Sequence, residues 1–521
     1  MKDTRSNPTK ELPSMFVTKN MPEITSPVEG IVELMPTERG LDVVLNPTGT
    51  PITDISLTWQ FDVKPYTRSL GDTWGVAVNN IRWAAREDLE FSPWYFTLTN
   101  GERTVCFGVK TLPNAFAAWY IDEGDFRLVL DTRSGGEGVL LKEPLCLATV
   151  ISMESENGES TFAAMKRFCR MMCEKPVLPS SPVYGFNTWY YSYGKITRSN
   201  MMRDAELCAT LASGRVPGAP LPYMVIDDGY QMPRTPAFNG GPFLPNDDFG
   251  DLRAVADDIR ERGCNPGIWV RTMLVRPDLC PEIPEEAFSP MDEYSRGSGG
   301  RVLDITTAPA KEYVFNLVRS MRDMGYGLIK HDFTCMDMMG NNFLTPKLTS
   351  DGWHLSDRTK TNAQILKELY TLIEEAAEGS AVIGCNTYGH LSAGIHPIHR
   401  IGQDTSGYAW YKTRRYGVNT LAYRLCQNDT FFKADADCAC FTKHVPTDKN
   451  ILFADLIART NSALFISAAP DILKAKDIDR LIEIYRISSK GQTEAEPLDW
   501  LTNPFPALFR WNDLDIQYPW F

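Results

Sequence analysis

Between residues 28 and 153 the apolar positions come in short stretches separated by turn residues, as in Gly30-Ile31-Val32-Glu33-Leu34, Leu41-Asp42-Val43-Val44-Leu45 and Ile55-Ser56-Leu57-Thr58-Trp59. Such stretches with polar breaks predict half-buried strands. Asn100-Gly101 stands between Trp94-Tyr95-Phe96-Thr97-Leu98-Thr99 and Arg103-Thr104-Val105-Cys106-Phe107, the arrangement that predicts a hairpin. Many strands with no helical pattern between them predict an antiparallel β-sandwich. Residues 161–174 then turn helical, with Phe162, Met165, Phe168, Cys169 and Met172 on one face. The Pro-rich Pro176-Val177-Leu178-Pro179-Ser180-Ser181-Pro182 stops that helix and marks a domain boundary, so the first domain is expected over 1–175.

Beyond the boundary the pattern alternates between strand and helix. Strands are predicted at Val183 to Tyr191, Pro222 to Asp228, Pro266 to Arg271, Tyr326 to Phe333, Ala381 to Asn386, Ile398 to Gly402, Phe431 to Asp437 and Ala463 to Ser467. Helices are predicted at 199–213, around Leu252, Val255 and Ile259, at 309–324 and at 361–378. Eight strands over about 285 residues match the size of a (β/α)8 TIM barrel, expected over 176–470. No Gly-x-Gly-x-x-Gly opens a helix, which disfavours an open doubly wound sheet. The aromatic, Pro-containing end, with Trp500, Phe505, Phe509, Trp511, Tyr518 and Trp520, predicts a short β extension over 471–521 that packs on the barrel. The expected fold is multidomain: β-sandwich, barrel, extension.

The fourth of these strands, Tyr326-Gly327-Leu328-Ile329-Lys330-His331-Asp332-Phe333, organises the rest. Alternation puts Lys330 and Asp332 on one face at the strand's C-terminal end. A neighbouring cation keeps a carboxylate ionised, as a nucleophile requires, although a structural ion pair has the same look. In a barrel the C-terminal strand ends carry the working groups. There the sequence gathers Asp227 and Asp228, Lys330 and Asp332, Asn386, Arg400 and Asp404, and Asp435 and Asp437, with Trp189, Tyr190 and Trp269 as aromatic surface. Acids beside aromatic rings suit carbohydrate chemistry: hydroxyls need acceptors, and the C–H face of a sugar packs on a ring. One carboxylate could attack and another protonate the departing oxygen.

Composition narrows the partner. Hydrophobic residues are 43% and charged residues 23% of the chain, and the net charge is -13. That balance, without a basic block, argues against nucleic acid and anionic membranes and for a neutral ligand. The first twenty residues lack an apolar signal core, and no apolar run approaches the roughly twenty residues that span a bilayer. A cytoplasmic protein is the expectation. The twelve cysteines form no Cys-x-x-Cys pair and read as buried free thiols, and no His-Glu-x-x-His is present. His396 and His399 read as structural. No metal and no cofactor are expected.

Gly185-Phe186-Asn187-Thr188-Trp189, Val225-Ile226-Asp227-Asp228-Gly229-Tyr230, Gly267-Ile268-Trp269, Leu328-Ile329-Lys330-His331-Asp332 and Arg400-Ile401-Gly402-Gln403-Asp404 resemble the ordered motifs of the α-galactosidases of glycoside hydrolase family 36 and its relative family 27. The resemblance covers roughly 183–470. It implies a retaining exo-α-galactosidase with Asp332 as nucleophile and Asp404 as general acid/base. It further implies Asp227 and Asp228 on the 4- and 6-hydroxyls, Lys330 on a ring hydroxyl, Arg400 near the 2-hydroxyl and Trp189 against the sugar's apolar face. Trp269 and Asn386 are further candidates for substrate binding. For retention the two acids should stand roughly 5 Å apart, with Asp404 in the drier, less cationic place. A small α-galactoside or oligosaccharide is the implied partner, and assembly into a homo-oligomer is a further implication. The chain departs from the pattern at Tyr230, where the families carry Trp or Cys, and at Cys385-Asn386-Thr387-Tyr388-Gly389, where the C2 substituent is read. The C-terminal end is also shorter than the sandwich that usually follows. An α-N-acetylgalactosaminidase, a transglycosidase of raffinose-synthase type, and a carbohydrate-binding barrel without catalysis therefore stay open.

Overall fold

A computed structural model describes residues 15–78, 81–122, 124–291, 298–340, 345–491 and 494–521; most of the N-terminal stretch read above for a signal core lies outside them. The N-terminal part is a sandwich of two antiparallel sheets, of five and seven strands among the described residues. Strand Asp54–Gln60 alternates half-buried and buried positions, and Ile55, Leu57 and Trp59 are the ones that turn inward. They meet Phe126, Leu128 and Leu130 of Asp125–Asp131, and Phe96, Phe107 and Trp119 complete a cluster of close ring contacts. The expected hairpin joins Tyr95–Thr99 to Thr104–Val109. Its loop is four residues long, because Asn100 Oδ1 accepts from the N–H groups of both Glu102 and Arg103 and Gly101 takes a φ of 93°. Helix Thr161–Met172 starts where Ser160 Oγ accepts from Ala163 N at 3.1 Å and lays its apolar face on the seven-stranded sheet.

Eight parallel strands then close a barrel: β1 Tyr184–Asn187, β2 Tyr223–Ile226, β3 Asn265–Val270, β4 Leu328–His331, β5 Ala381–Gly384, β6 Ile398–Arg400, β7 Lys433–Phe441 and β8 Ala463–Ala468. Closure is direct, since β1 pairs with both β2 and β8. Gly185 makes it possible: a Cβ there would lie 1.9 Å from the Tyr223 carbonyl oxygen. Val225, Leu328, Ile383, Ile398, Cys438 and Phe465 pack together as one buried cluster of the strands. The intervening Ile329 belongs instead to the layer shared with the outer helices. Lys330 and Asp332 thus follow Leu328 on the inner face, and His331 faces outward.

Several outer helices begin at side-chain caps: Thr197 caps Arg198–Leu211, Asp251 caps Leu252–Glu261, and at Asn362–Ala376 Thr361 and Gln364 cap each other's backbone. Residues 471–521 hold a helix as well as strands. Ala475–Ser488 packs against Arg198–Leu211 and Thr447–Arg459, and its Tyr485 hydroxyl donates to Gly185 O at 2.7 Å. The expected extension follows as a three-stranded sheet, Ala495–Pro497, Leu508–Trp511 and Leu514–Gln517. Trp500 ties this end to the sandwich by edge contacts with Trp83 and Phe162.

One sandwich loop, residues 72–77, reaches the barrel's working end. Ala77 N donates to Ile401 O at 3.0 Å, directly beyond β6. Arg424 pairs with Asp72 and donates to Gly75 O and Ile401 O, with both side chains of the pair under a tenth exposed. A Cβ at Gly75 would lie 2.7 Å from Thr387 O. The sandwich therefore buttresses the two loops that carry Asn386 and Asp404. Among the described residues no helix is long and apolar enough to cross a membrane, and all twelve cysteines are free, with Cys146 the exposed exception.

Candidate active site

The loops beyond β1 to β7 bring the expected polar groups to one end of the barrel. Asp332 follows β4 and is 8% exposed. Its Oδ2 accepts from the Trp269 indole N–H at 3.1 Å, and its Oδ1 accepts from Phe333 N at 2.7 Å and from the Asn386 side-chain amide. Burial alone would push this carboxyl up; Lys330, then these three donors, outweigh it and hold the carboxyl below its ordinary value. The result is a bare, oriented carboxylate.

Lys330 makes its direct ion pair elsewhere, donating to Asp227 Oδ2 at 2.8 Å across the barrel. The Asn187 amide reaches the same oxygen at 2.8 Å. The neighbouring Asp228 is held by Gln231, Arg234 and Asn239, at 2.7 Å for Gln231 Nε2. Burial raises its carboxyl despite Arg234.

Across the site, Arg400 at the end of β6 is 2% exposed. Its Nη2 donates to Asp437 Oδ2, to Asp404 Oδ1 at 3.1 Å and to the Tyr190 hydroxyl at 3.3 Å. Arg400 Nε is buried without a hydrogen-bond partner among the described residues. Asp437, midway along β7, also accepts from Thr405 N and Tyr190 OH, so it fastens that strand to the loop that carries Asp404. Asp435 is pushed up to about 6, by burial first.

Asp404 contradicts one expectation. It is neither drier nor less cationic than Asp332: its side chain is 68% exposed and Arg400 touches it. Burial is the largest influence that raises its carboxyl, Arg400 opposes it, and the Asp437 and Asp332 charges add to it, but a side chain this open to solvent feels little of that burial. Asp332 is the firmly ionised acid of the two, and Asp404 differs from it in its exposure and its contact with Arg400.

The aromatic residues are placed differently from the expectation. β1 ends at Asn187, whose Oδ1 accepts from Trp189 N at 2.8 Å, and Trp189–Ser192 is a helical turn rather than strand. Trp189 is half-buried beside Tyr193. Trp269 is 1% exposed, so its role here is to donate to Asp332 and not to offer a free face. His396 and His399 are buried: His396 lies between Glu374 and His331, and His399 bonds Thr387.

Sequence reasoning missed Asn187, Gln231, Arg234, Asn239, Tyr190 as a ligand of Asp437, and the 72–77 loop. Several strand ends also carry non-glycine residues at positive φ, with Phe333 at 61°, Asn386 at 51° and Asp437 at 70°. Such conformations persist where the surroundings over-determine them, typically at working sites.

No protein-family model matches the chain. Among solved structures it is similar to TtGalA, an α-galactosidase of Thermus thermophilus in complex with p-nitrophenyl α-D-galactopyranoside, at TM-score 0.64 and 17% identity, covering 96% of this chain and 99% of that one. It is also similar to the family 36 α-galactosidase AgaA of Geobacillus stearothermophilus, at TM-score 0.60 and 13% identity, covering 90% of this chain and 73% of that one. The galactosidase domain of the α-galactosidase-sucrose kinase AgaSK gives TM-score 0.61 and 15% identity, covering 94% and 74%. At these identities the likeness is one of fold.

Proposed function

We propose that the chain is a retaining exo-glycosidase that hydrolyses terminal α-D-galactosides, with Asp332 as nucleophile and Asp404 as general acid/base. The observation that carries the reading is the way the two acids are held: Asp332 is fixed by the Trp269 indole, the Phe333 N–H and the Asn386 amide with Lys330 close by, while Asp404 stands open to solvent against Arg400. The fold, shared with proteins named as α-galactosidases, supports the choice of sugar.

In the first step an Asp332 oxygen attacks the anomeric carbon as the bond to the leaving oxygen breaks, and the Asp404 proton goes to that oxygen. A glycosyl ester on Asp332 results. In the second, Asp404, now a carboxylate, takes a proton from water, whose oxygen attacks the same carbon and releases Asp332. Two inversions give net retention, a course that requires the two carboxyls to stand about 5–5.5 Å apart. Asp227 and Asp228 accept from the 4- and 6-hydroxyls, and Lys330 reaches a ring hydroxyl. Arg400, with Nε unspent, lies toward the 2-hydroxyl. Trp189 covers the apolar face, and Trp269 and Asn386 steady the nucleophile. The site's cations Lys330, Arg234 and Arg400 each already face an aspartate, an arrangement that suits a neutral sugar better than an anionic one.

Asp332→Asn tests the reading: turnover of an aryl α-galactoside should be lost in a variant that melts like the parent. An unchanged rate would end the assignment.

A further inference from the structure

Beyond Asp404 the β6 loop continues into a second feature that the chemistry above does not use. Tyr408 is 59% exposed. Its ring stacks on Tyr193 at a centroid distance of 5.0 Å and 29°, and its other neighbour is the His444 ring at 5.1 Å. These rings, with Tyr190, Thr442 and Pro470, line a pocket of about 250 Å³. That is just under the ~300 Å³ at which sites for drug-sized ligands begin, so it suits one ring rather than a chain.

The pocket is built, not incidental. Tyr193 holds a left-handed backbone, φ 46° and ψ 52°, which an aromatic residue adopts only at an energetic cost. It is fixed there by its hydroxyl, which accepts from Gly407 N at 3.0 Å, while the Thr442 hydroxyl donates to Gly407 O. Gly407 is therefore clamped from both sides, three residues after Asp404. Tyr190, in the pocket wall, donates its hydroxyl to Asp437, the residue that holds Arg400 beside Asp404. Tyr408 and Asp404 therefore share one loop, held at Gly407 by residues that follow β1 and β7.

We infer that Tyr408, Tyr193 and His444 form a binding platform for a neutral sugar ring on the leaving-group side of the substrate. This rests on the proposed function, because an acid that protonates the departing oxygen must stand on the departing group's side, and its loop leads to these rings. The exposed part of the Tyr408 ring takes the C–H face of a pyranose, and Lys443 and the Tyr408 hydroxyl offer polar partners at its rim. The chain would then favour oligosaccharides over simple aryl galactosides.

Calorimetric titration of the full chain tests this, in an Asp332→Asn background so that ligand survives. Stachyose and galactose are titrated with and without Tyr408→Ala. The inference predicts that Tyr408→Ala weakens stachyose at least fivefold, leaves galactose within twofold, and that Tyr408→Phe restores stachyose binding. Equal weakening of both sugars, no weakening, or a parent that binds galactose but not stachyose would overturn it. Should Tyr408→Ala fail to fold, His444→Ala on the ring's other side gives the same reading. Wild-type chain that hydrolyses no α-galactoside would defeat the proposed function instead, and the ratio of the two affinities would still decide the platform.

Discussion

Lys330 Nζ donates to Asp227 Oδ2 at 2.8 Å, joining β4 to β2, and not to Asp332 two residues along its own chain. The cation is thus fixed by one acid while its field acts on another. That arrangement leaves the Asp332 oxygens to neutral donors and to the substrate, which a direct ion pair would not.

Removal of that field should show in the pH profile. Asp332 must be ionised to attack, and Lys330 is the strongest of the influences that lower it. In Lys330→Met the carboxyl rises, so the acid limb of kcat/KM moves to higher pH. The plateau falls on the order of 10²-fold or more as Asp227 loses its partner and the site loosens. A pH series with an aryl α-galactoside measures both.

The opposite limb belongs to Asp404, which works as an acid only while protonated. The Asp437 charge raises it, and Arg400 lowers it. Asp437→Asn removes the like charge and frees Arg400 to turn toward Asp404, and both changes lower the Asp404 carboxyl. The basic limb should therefore move to lower pH. Asp404→Ala should cost about 10²–10⁴-fold with poor leaving groups and less with activated ones, which a series of aryl leaving groups reads out.

Stability carries its own pH signature. Burial raises Glu374, on the outer helix beside His396, to about 8. A carboxyl raised on folding binds its proton more tightly in the native chain, so its contribution to stability is complete below the unfolded value near 4.5 and is lost as pH climbs to about 8. Glu374→Gln keeps the hydrogen bond without the charge. Its melting temperature relative to wild type should rise between about pH 5 and 8, as thermal scans will show.

The sandwich is expected to matter for catalysis as well as for folding. Asp72→Ala leaves Arg424 buried and unpaired and should cost about 3–5 kcal/mol by denaturant unfolding. It also slackens the 72–77 loop under Ile401 and Thr387, so kcat should fall even where the variant is fully folded.

The barrel was legible because its strands are short apolar runs between amphipathic helices, and the strand ends could be read from where those runs stop. Lys330 and Asp332 followed from alternation alone. Trp189 did not: periodicity carried the strand on through Tyr191, whereas the Asn187 side chain captures the Trp189 N–H and turns the chain into a helical turn. Arg234 and Asn239, which hold Asp228, lie in a Gly-rich loop that has no period to read. The Asp72 and Arg424 pair spans 352 residues, and nothing local in either segment announces it. The exposure of Asp404 was equally hidden, since it depends on how loops from several strands lie around it.

The account turns on which oxygen becomes bonded to the sugar. Inactivation with an activated fluorinated α-galactoside that forms the glycosyl ester but releases it slowly, followed by digestion and mass spectrometry of the peptides, reads this directly. The mass of one sugar on Asp332, absent from Asp332→Asn, is the predicted result; a label on another carboxylate, or inactivation that leaves Asp332 unmodified, would contradict it.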